Sequence, residues 1–151
     1  MSWLPLVAHP DRELIRELMP SLLAGMQDKA NSKGWAPRSL SSAVVEVNAL
    51  LNGELANLYG AVLDNHAILL YDIVEAWWLE GTVLVEYSLM TYKPGEARVF
   101  EAIEEVARDH GVNTIIVGSV GADNEQAFSR LLRKHGYNHS SPQFLKQLGA
   151  L

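Results

Sequence analysis

Three apolar stretches, residues 55–63, 67–79 and 82–92, follow one another with little more than Asp64-Asn65 and Glu80-Gly81 between them. Each is rich in Val, Ile, Leu, Tyr and Trp, the residue types that suit a pleated surface. Connections this short leave no room for a crossover, so the neighbours must run antiparallel. The spacing therefore predicts a three-stranded meander, and the rest of the chain has to cover its faces.

On both sides of the meander the apolar period becomes helical. Residues 3–8 read as a short opening strand closed by Pro10. Asp11 offers an N-cap, and Leu14, Ile15, Leu18, Leu22 and Leu23 recur at helical spacing. Pro20 falls inside this pattern and is expected to kink or restart the helix. Residues 31–38, with Gly34 and Pro37, read as a loop. Ser39 then caps a second helix whose apolar face is Leu40, Val44, Val47, Leu50 and Leu51, with Gly53 as its stop.

Downstream, Val99, Phe100, Ile103, Val106 and Ala107 form a stripe opposite Glu101, Glu104, Glu105, Arg108 and Asp109, ended by Gly111. Residues 112–118, VNTIIVG, read as a strand buried on both faces. A last helix from about Asp123 carries Ala127, Phe128, Leu131 and Leu132 inward and stops at Gly136. Residues 137–139 and 143–148 are expected to close the chain as strands. The order is β-α-α-β-β-β-α-β-α-β-β, an α/β chain with a central mixed, twisted sheet flanked by helices. Its β-α-β unit supplies a parallel crossover.

Composition narrows the function. The chain of 151 residues suits one domain spanning residues 1–151. Its formal net charge is −6, and no basic cluster exceeds the pair Arg133-Lys134, so no nucleic-acid partner is expected. The absence of cysteine excludes disulfides, thiolate metal sites and cysteine nucleophiles. No signal peptide and no spanning segment is read, because Asp72 and Glu75 interrupt the longest apolar stretch. A soluble, cytoplasmic protein without a membrane partner is expected.

The candidate chemistry centres on Tyr92-Lys-Pro-Gly95-Glu-Ala97-Arg98, where the third meander strand passes into a helix. Free N–H groups at a helix N-terminus bind phosphate oxygens, and small residues let the backbone approach them. Gly95 and Ala97 are small and Arg98 adds a cation, whereas Pro94 removes one donor and Glu96 adds a carboxylate. The same residues also make a good helix start in their own right. On the preceding strand, Glu86 is an acid inside an apolar run, with Glu75 a weaker candidate on the neighbouring strand. Facing inward, Glu86 would have a raised pKa and suit a general base; facing outward it would be an ordinary surface carboxylate. Alternation does not decide between the two.

The order of elements, with Tyr92-Lys-Pro-Gly95-Glu-Ala97 and Lys134-His-Gly136-Tyr137, resembles the GNAT superfamily of N-acyltransferases over essentially the whole chain. In that family the fourth strand leads into a Gln/Arg-x-x-Gly-x-Gly/Ala loop, and Gly95 and Ala97 match its small positions while Tyr92 replaces the first polar one. The closing Gln143-Phe144-Leu145-Lys146-Gln147-Leu148 is similar to the family's last strand. The resemblance implies an acetyl-CoA or other acyl-CoA cofactor, with pantetheine along Leu89, Met90 and Thr91 and pyrophosphate at Tyr92, Gly95, Glu96, Ala97 and Arg98. It implies an amine acceptor near Glu86, and Asn124 as a cofactor ligand or else only an N-cap. The tyrosine that many relatives carry in the last helix is replaced by Leu131. Tyr137 is then a candidate general acid, with Tyr87 and Tyr92 as further tyrosines to consider.

The chain also resembles compact phage-encoded GNAT-like proteins. That keeps open a second reading, a catalytically inactive binding or assembly component, virion-associated or homo-oligomeric. No metal site is expected: His135 and His139 are four apart but separated by Gly136, with no further ligands grouped nearby. Trp77-Trp78 are expected to put one indole on each sheet face. No G-x-S-x-G occurs, and Gly118-Ser119-Val120-Gly121 lacks the P-loop lysine.

Overall fold

A computed structural model describes residues 2–32, 34, 39–75, 77, 79–94, 97–118, 125–138, 146, 148 and 149. The three predicted strands form as β2 (Tyr59–Leu63), β3 (Ala67–Glu75) and β4 (Thr82–Thr91). A short β1 (Trp3–Pro5) pairs antiparallel with β2, and β5 (Ile115–Ile116) pairs parallel with β4. The order across the mixed sheet is β1-β2-β3-β4-β5. The opening strand is shorter than expected, because Leu6–Ala8 turns into a 3₁₀ segment that sends Leu6 into the core. Leu55 is fully exposed, and β3 ends at Glu75, before Trp77. The alternation assumed for Trp77-Trp78 thus stops short of them: Trp77 is exposed, and Trp78 lies outside the described residues.

Helices cover the two faces separately. On one face, α1 (Arg12–Ser32) and α2 (Leu40–Leu51) bring Ile15, Met19, Leu23, Val47 and Leu51 against Val62, Ile68, Leu70 and Met90. On the other, α3 (Val99–Asp109) brings Ala102, Ile103, Val106 and Ala107 against Ala61, Leu63, Leu69, Tyr71 and Leu84. Each large side chain removed from water contributes about 1.5–3 kcal/mol, so both faces are strongly specified. Gly60 is tightly enclosed on the α1–α2 side, where an added Cβ would stand 3.1 Å from both Leu6 and Leu50. Among the described residues, no helix is long and apolar enough to cross a membrane.

The predicted helix signals hold at several ends. Ser39 Oγ accepts from Ser42 N–H at the start of α2. Gly111 takes φ +74, with Gly111 N–H donating to Arg108 and Val112 N–H to Ala107. That double closure buries Val112 beneath the end of α3. The strand expected over 112–118 is therefore restricted to Ile115–Ile116, and it is not buried on both faces, since Ile116 is exposed. After α4 (Glu125–Lys134), Gly136 at φ +87 repeats the same closure, with Tyr137 N–H donating to Leu132. Tyr137 and Asn138 are consequently not in a strand; His139, residues 143–145 and Gln147 lie outside the described residues.

Pro20 neither stops nor restarts α1, which continues through it to Ser32. Pro20 is exposed, and its ring nitrogen offers no N–H to the Arg16 carbonyl. Restoring that donor with Pro20→Ala is expected to raise unfolding stability by about 1–3 kcal/mol, the larger unfolded-chain entropy taking back part of the gain. Urea denaturation of the two proteins measures it. Gly60→Val, by contrast, should lose about 1–3 kcal/mol through overpacking against Leu6 and Leu50.

Candidate functional site

The candidate site is built where β4 leaves β5. β3 and β4 pair in register except at one point: Leu70 stands opposite Ser88 and Tyr71 opposite Glu86, so Tyr87 is an extra residue. A bulge of this kind bends its strand and increases local twist. β5 pairs with β4 at Leu84 and Val85, just before the bulge, and Leu84 N–H donates to the Thr114 carbonyl at 3.0 Å. Beyond Val85, the β5-side edge of β4 has no strand neighbour among the described residues.

Register decides the direction of Glu86, which alternation left open. Cross-strand partners share a face. Tyr71 belongs to the core beneath α3, so Glu86 is aimed at the α3 side and is partly buried there. Removal from water raises its carboxyl to about 7. Tyr71 itself is almost wholly buried; its hydroxyl pairs with His110 Nε2 at 2.8 Å, and its ring stacks on Tyr59 at 5.3 Å. Burial raises the Tyr71 phenol. Glu75 is exposed at the far end of β3, one residue from the hairpin turn.

The remaining cofactor candidates divide between the faces. Leu89 packs on the α3 side, Met90 is buried on the α1–α2 side, and Thr91 is exposed. Tyr92 also turns toward α1 and α2, and its phenol is engaged twice. Asp11 N–H donates to His9 Nδ1 at 2.8 Å, so the His9 proton is on Nε2. His9 Nε2–H then donates to Tyr92 Oη at 3.0 Å, and Tyr92 O–H donates to Asn65 Oδ1 at 2.8 Å. Burial lowers the pKa of His9 against the pull of Asp11 and pushes Tyr92 up to about 12. Tyr92 N–H also donates to the His66 carbonyl. Tyr92 thereby latches the end of β4 to the β2–β3 turn and to the start of α1.

Gly95, Glu96 and Asn124 lie outside the described residues. Ala97 is half-buried, and Arg98 has an exposed side chain immediately before α3. The Arg98 N–H already has an acceptor, Asp64 Oδ2 at 2.9 Å. Sequence reasoning assigned Asp64 only to a turn and His9 to nothing. No local pattern singles them out, because their partners are 34 and 83 positions away.

Tyr137 is not brought to Glu86 by any described contact. Its ring meets Phe100 edge-on at 6.2 Å, its hydroxyl is buried without a partner among the described residues, and burial with Glu104 nearby pushes it up to about 12. Tyr87 is exposed and donates to Asp72 Oδ2 at 3.2 Å. His135 stacks on Phe100 at 4.5 Å, and His139 is outside the described residues. Among the described residues no group of three metal-ligating side chains occurs.

No family model and no curated protein matches the sequence. Solved structures do match the fold. An aminoglycoside acetyltransferase, HMB0005, from an uncultured soil metagenomic sample is 16% identical with a TM-score of 0.57, over 97% of this chain and 96% of its own. A second aminoglycoside acetyltransferase from such a sample, meta-AAC0020, was solved in complex with sisomicin; it is 14% identical with a TM-score of 0.50, over 99% and 93%. A predicted acetyltransferase from Clostridium acetobutylicum, solved with acetyl-CoA, is 10% identical with a TM-score of 0.54, over 87% and 91%. The chain has the GNAT fold, with its mixed sheet and flanking helices.

The raised Glu86 carboxyl has a consequence for stability. Its ordinary value is 4.5 and its native one about 7, so between these the native state holds a proton that the unfolded chain releases. Stability therefore falls as pH rises through this window, by at most about 3 kcal/mol. Glu86→Gln should remove that slope and stabilise the protein at pH 8 relative to wild type, with little change at pH 4. Urea unfolding across pH measures the difference; parallel curves for the two proteins would place Glu86 in water.

Proposed function

We propose that the chain is an acyl-CoA-dependent N-acyltransferase acting on an amine, with Glu86 as general base. The observation that carries this reading is Glu86 itself: a desolvated carboxyl with a pKa of about 7, one residue before the bulge where β4 parts from β5. A base poised near neutral pH accepts a proton from an ammonium and remains substantially ionised at working pH. The GNAT fold supports the reading, and so does the edge of β4 beyond Val85, which has no strand neighbour among the described residues and suits pantetheine beside Leu89, Met90 and Thr91. The pyrophosphate is assigned to the turn containing Gly95, Glu96, Ala97 and Arg98, with Asn124 as a further ligand and Tyr92 holding the turn in place.

In this reaction Glu86 takes a proton from the acceptor ammonium. The freed amine attacks the thioester carbonyl carbon, and a backbone N–H of β4 receives the developing oxyanion. As the C–S bond breaks, the nitrogen gives up its second proton to water while Glu86 keeps the first until solvent removes it. Water returns the proton to sulfur. Tyr137 has no part in this scheme, since its hydroxyl is enclosed against α3. The acceptor is an amine of unspecified type, cationic in solution.

A second reading is a GNAT-fold binding or assembly protein without catalysis, virion-associated or oligomeric. The observation in its favour is the loop itself: Tyr92 is tied to His9 and Asn65, and the Arg98 N–H is bonded to Asp64.

Thermal unfolding with acetyl-CoA separates the two. A working pocket raises the melting temperature by mass action, and Gly95→Trp abolishes that rise. No rise at millimolar acetyl-CoA, with the protein folded, rejects the enzyme. CoA release with a panel of amines, including aminoglycosides and polyamines, tests turnover. The rate is expected to increase with pH through about 7 as Glu86 ionises, and Glu86→Gln should lose about 10²–10⁴-fold and flatten that profile. A variant that kept the wild-type rate and profile would remove Glu86 from the mechanism.

A further inference from the structure

We propose that Asp64 is a tethered anion that competes with the cofactor's phosphates for the N-terminal opening of α3 and so tunes cofactor affinity. This rests on the acyl-CoA reading of the β4–α3 turn. Asp64 reaches the site from another part of the chain. Its main chain is fixed by a left-handed φ of +48, by its N–H donating to the Ser2 carbonyl at 2.7 Å, and by its own carbonyl accepting from His66 Nδ1 at 2.7 Å. The neighbouring Asn65 is held by the Tyr92 hydroxyl.

The carboxylate is thus delivered to the Arg98 N–H, 2.9 Å away, in the place a phosphate oxygen would take. Lys93 and Arg98, in the turn that leads into α3, have exposed side chains, so cations are near in sequence to the N–H that Asp64 occupies. An incoming pyrophosphate must rotate the Asp64 side chain aside or accept a like charge within a few ångströms. That opposition acts on the phosphates and leaves the pantetheine arm untouched.

Asp64→Asn separates charge from structure. Asparagine keeps an acceptor for the Arg98 N–H and tolerates the left-handed backbone, so the fold is retained. Acetyl-CoA and S-acetylpantetheine, which has no pyrophosphate, are titrated into wild type and variant by calorimetry. The variant is expected to bind acetyl-CoA about tenfold more tightly, with the advantage shrinking as salt rises, and S-acetylpantetheine equally. Equal or weaker acetyl-CoA binding by the variant, with wild type binding, overturns the role of Asp64 and leaves the acyl-CoA reading standing. Equal tightening of both ligands overturns it too, since the effect would not lie at the phosphates. No acetyl-CoA binding by either folded protein overturns both readings.

Discussion

The β3–β4 pair is the interaction on which the other parts depend. It runs from Ala67 opposite Thr91 to Glu75 opposite Thr82, joining strands buried on both faces for much of their length. Because side chains alternate with a period of two, this one register fixes which residues of both strands face the α1–α2 side and which the α3 side. Its single irregularity, the extra Tyr87, changes that assignment midway along β4. Before the bulge, Leu84 faces α3 and β5 can pair; after it, Leu89 faces α3, Met90 faces α1 and α2, and no described strand follows. The bulge therefore aims Glu86 and, among the described residues, falls just past the last β4–β5 pair.

A second set of contacts ties the ends of these strands together. The turn between β2 and β3, with Asp64 and Asn65 both left-handed, meets the first residues of the chain through Ser2 and the start of α3 through Arg98. Through Tyr92 it also meets His9, which is buried and has its proton placed by Asp11. Short polar side chains favour left-handed turns because they bond locally, and here the same two side chains also bond across the fold. A hairpin turn becomes the hub that positions the loop before α3.

The site residues differ in how far the sequence exposed them. Glu86 was conspicuous as an acid in an apolar run, but its direction followed only from standing opposite Tyr71. Tyr92 drew attention as an odd residue in a phosphate-binding pattern, and its hydrogen bonds show it serving as a structural latch. Tyr137 looked available because it lies past a helix stop. That same position makes it the residue that closes α4, and its ring turns in against Phe100. Asp64 carried no signal, since a turn aspartate is ordinary and its partner is remote in sequence.

The sequence by itself determined the meander, the helices around it and most of their ends, because periodicity, Ser39, Gly53, Gly111 and Gly136 act over a few residues. It also overstated several elements: the strands read over 3–8, 55–63, 67–79 and 112–118 are shorter, and Tyr137 and Asn138 are in no strand. α1 runs through Pro20 without restarting, and the apolar run after Gly111 spends Val112 on closing α3. Only the tertiary structure decided which face Glu86 occupies, where β4 leaves β5, and that a carboxylate from a distant turn sits on the Arg98 N–H. Each of these depends on register or on a contact between distant segments. Local patterns constrain the first kind of feature and are silent on the second.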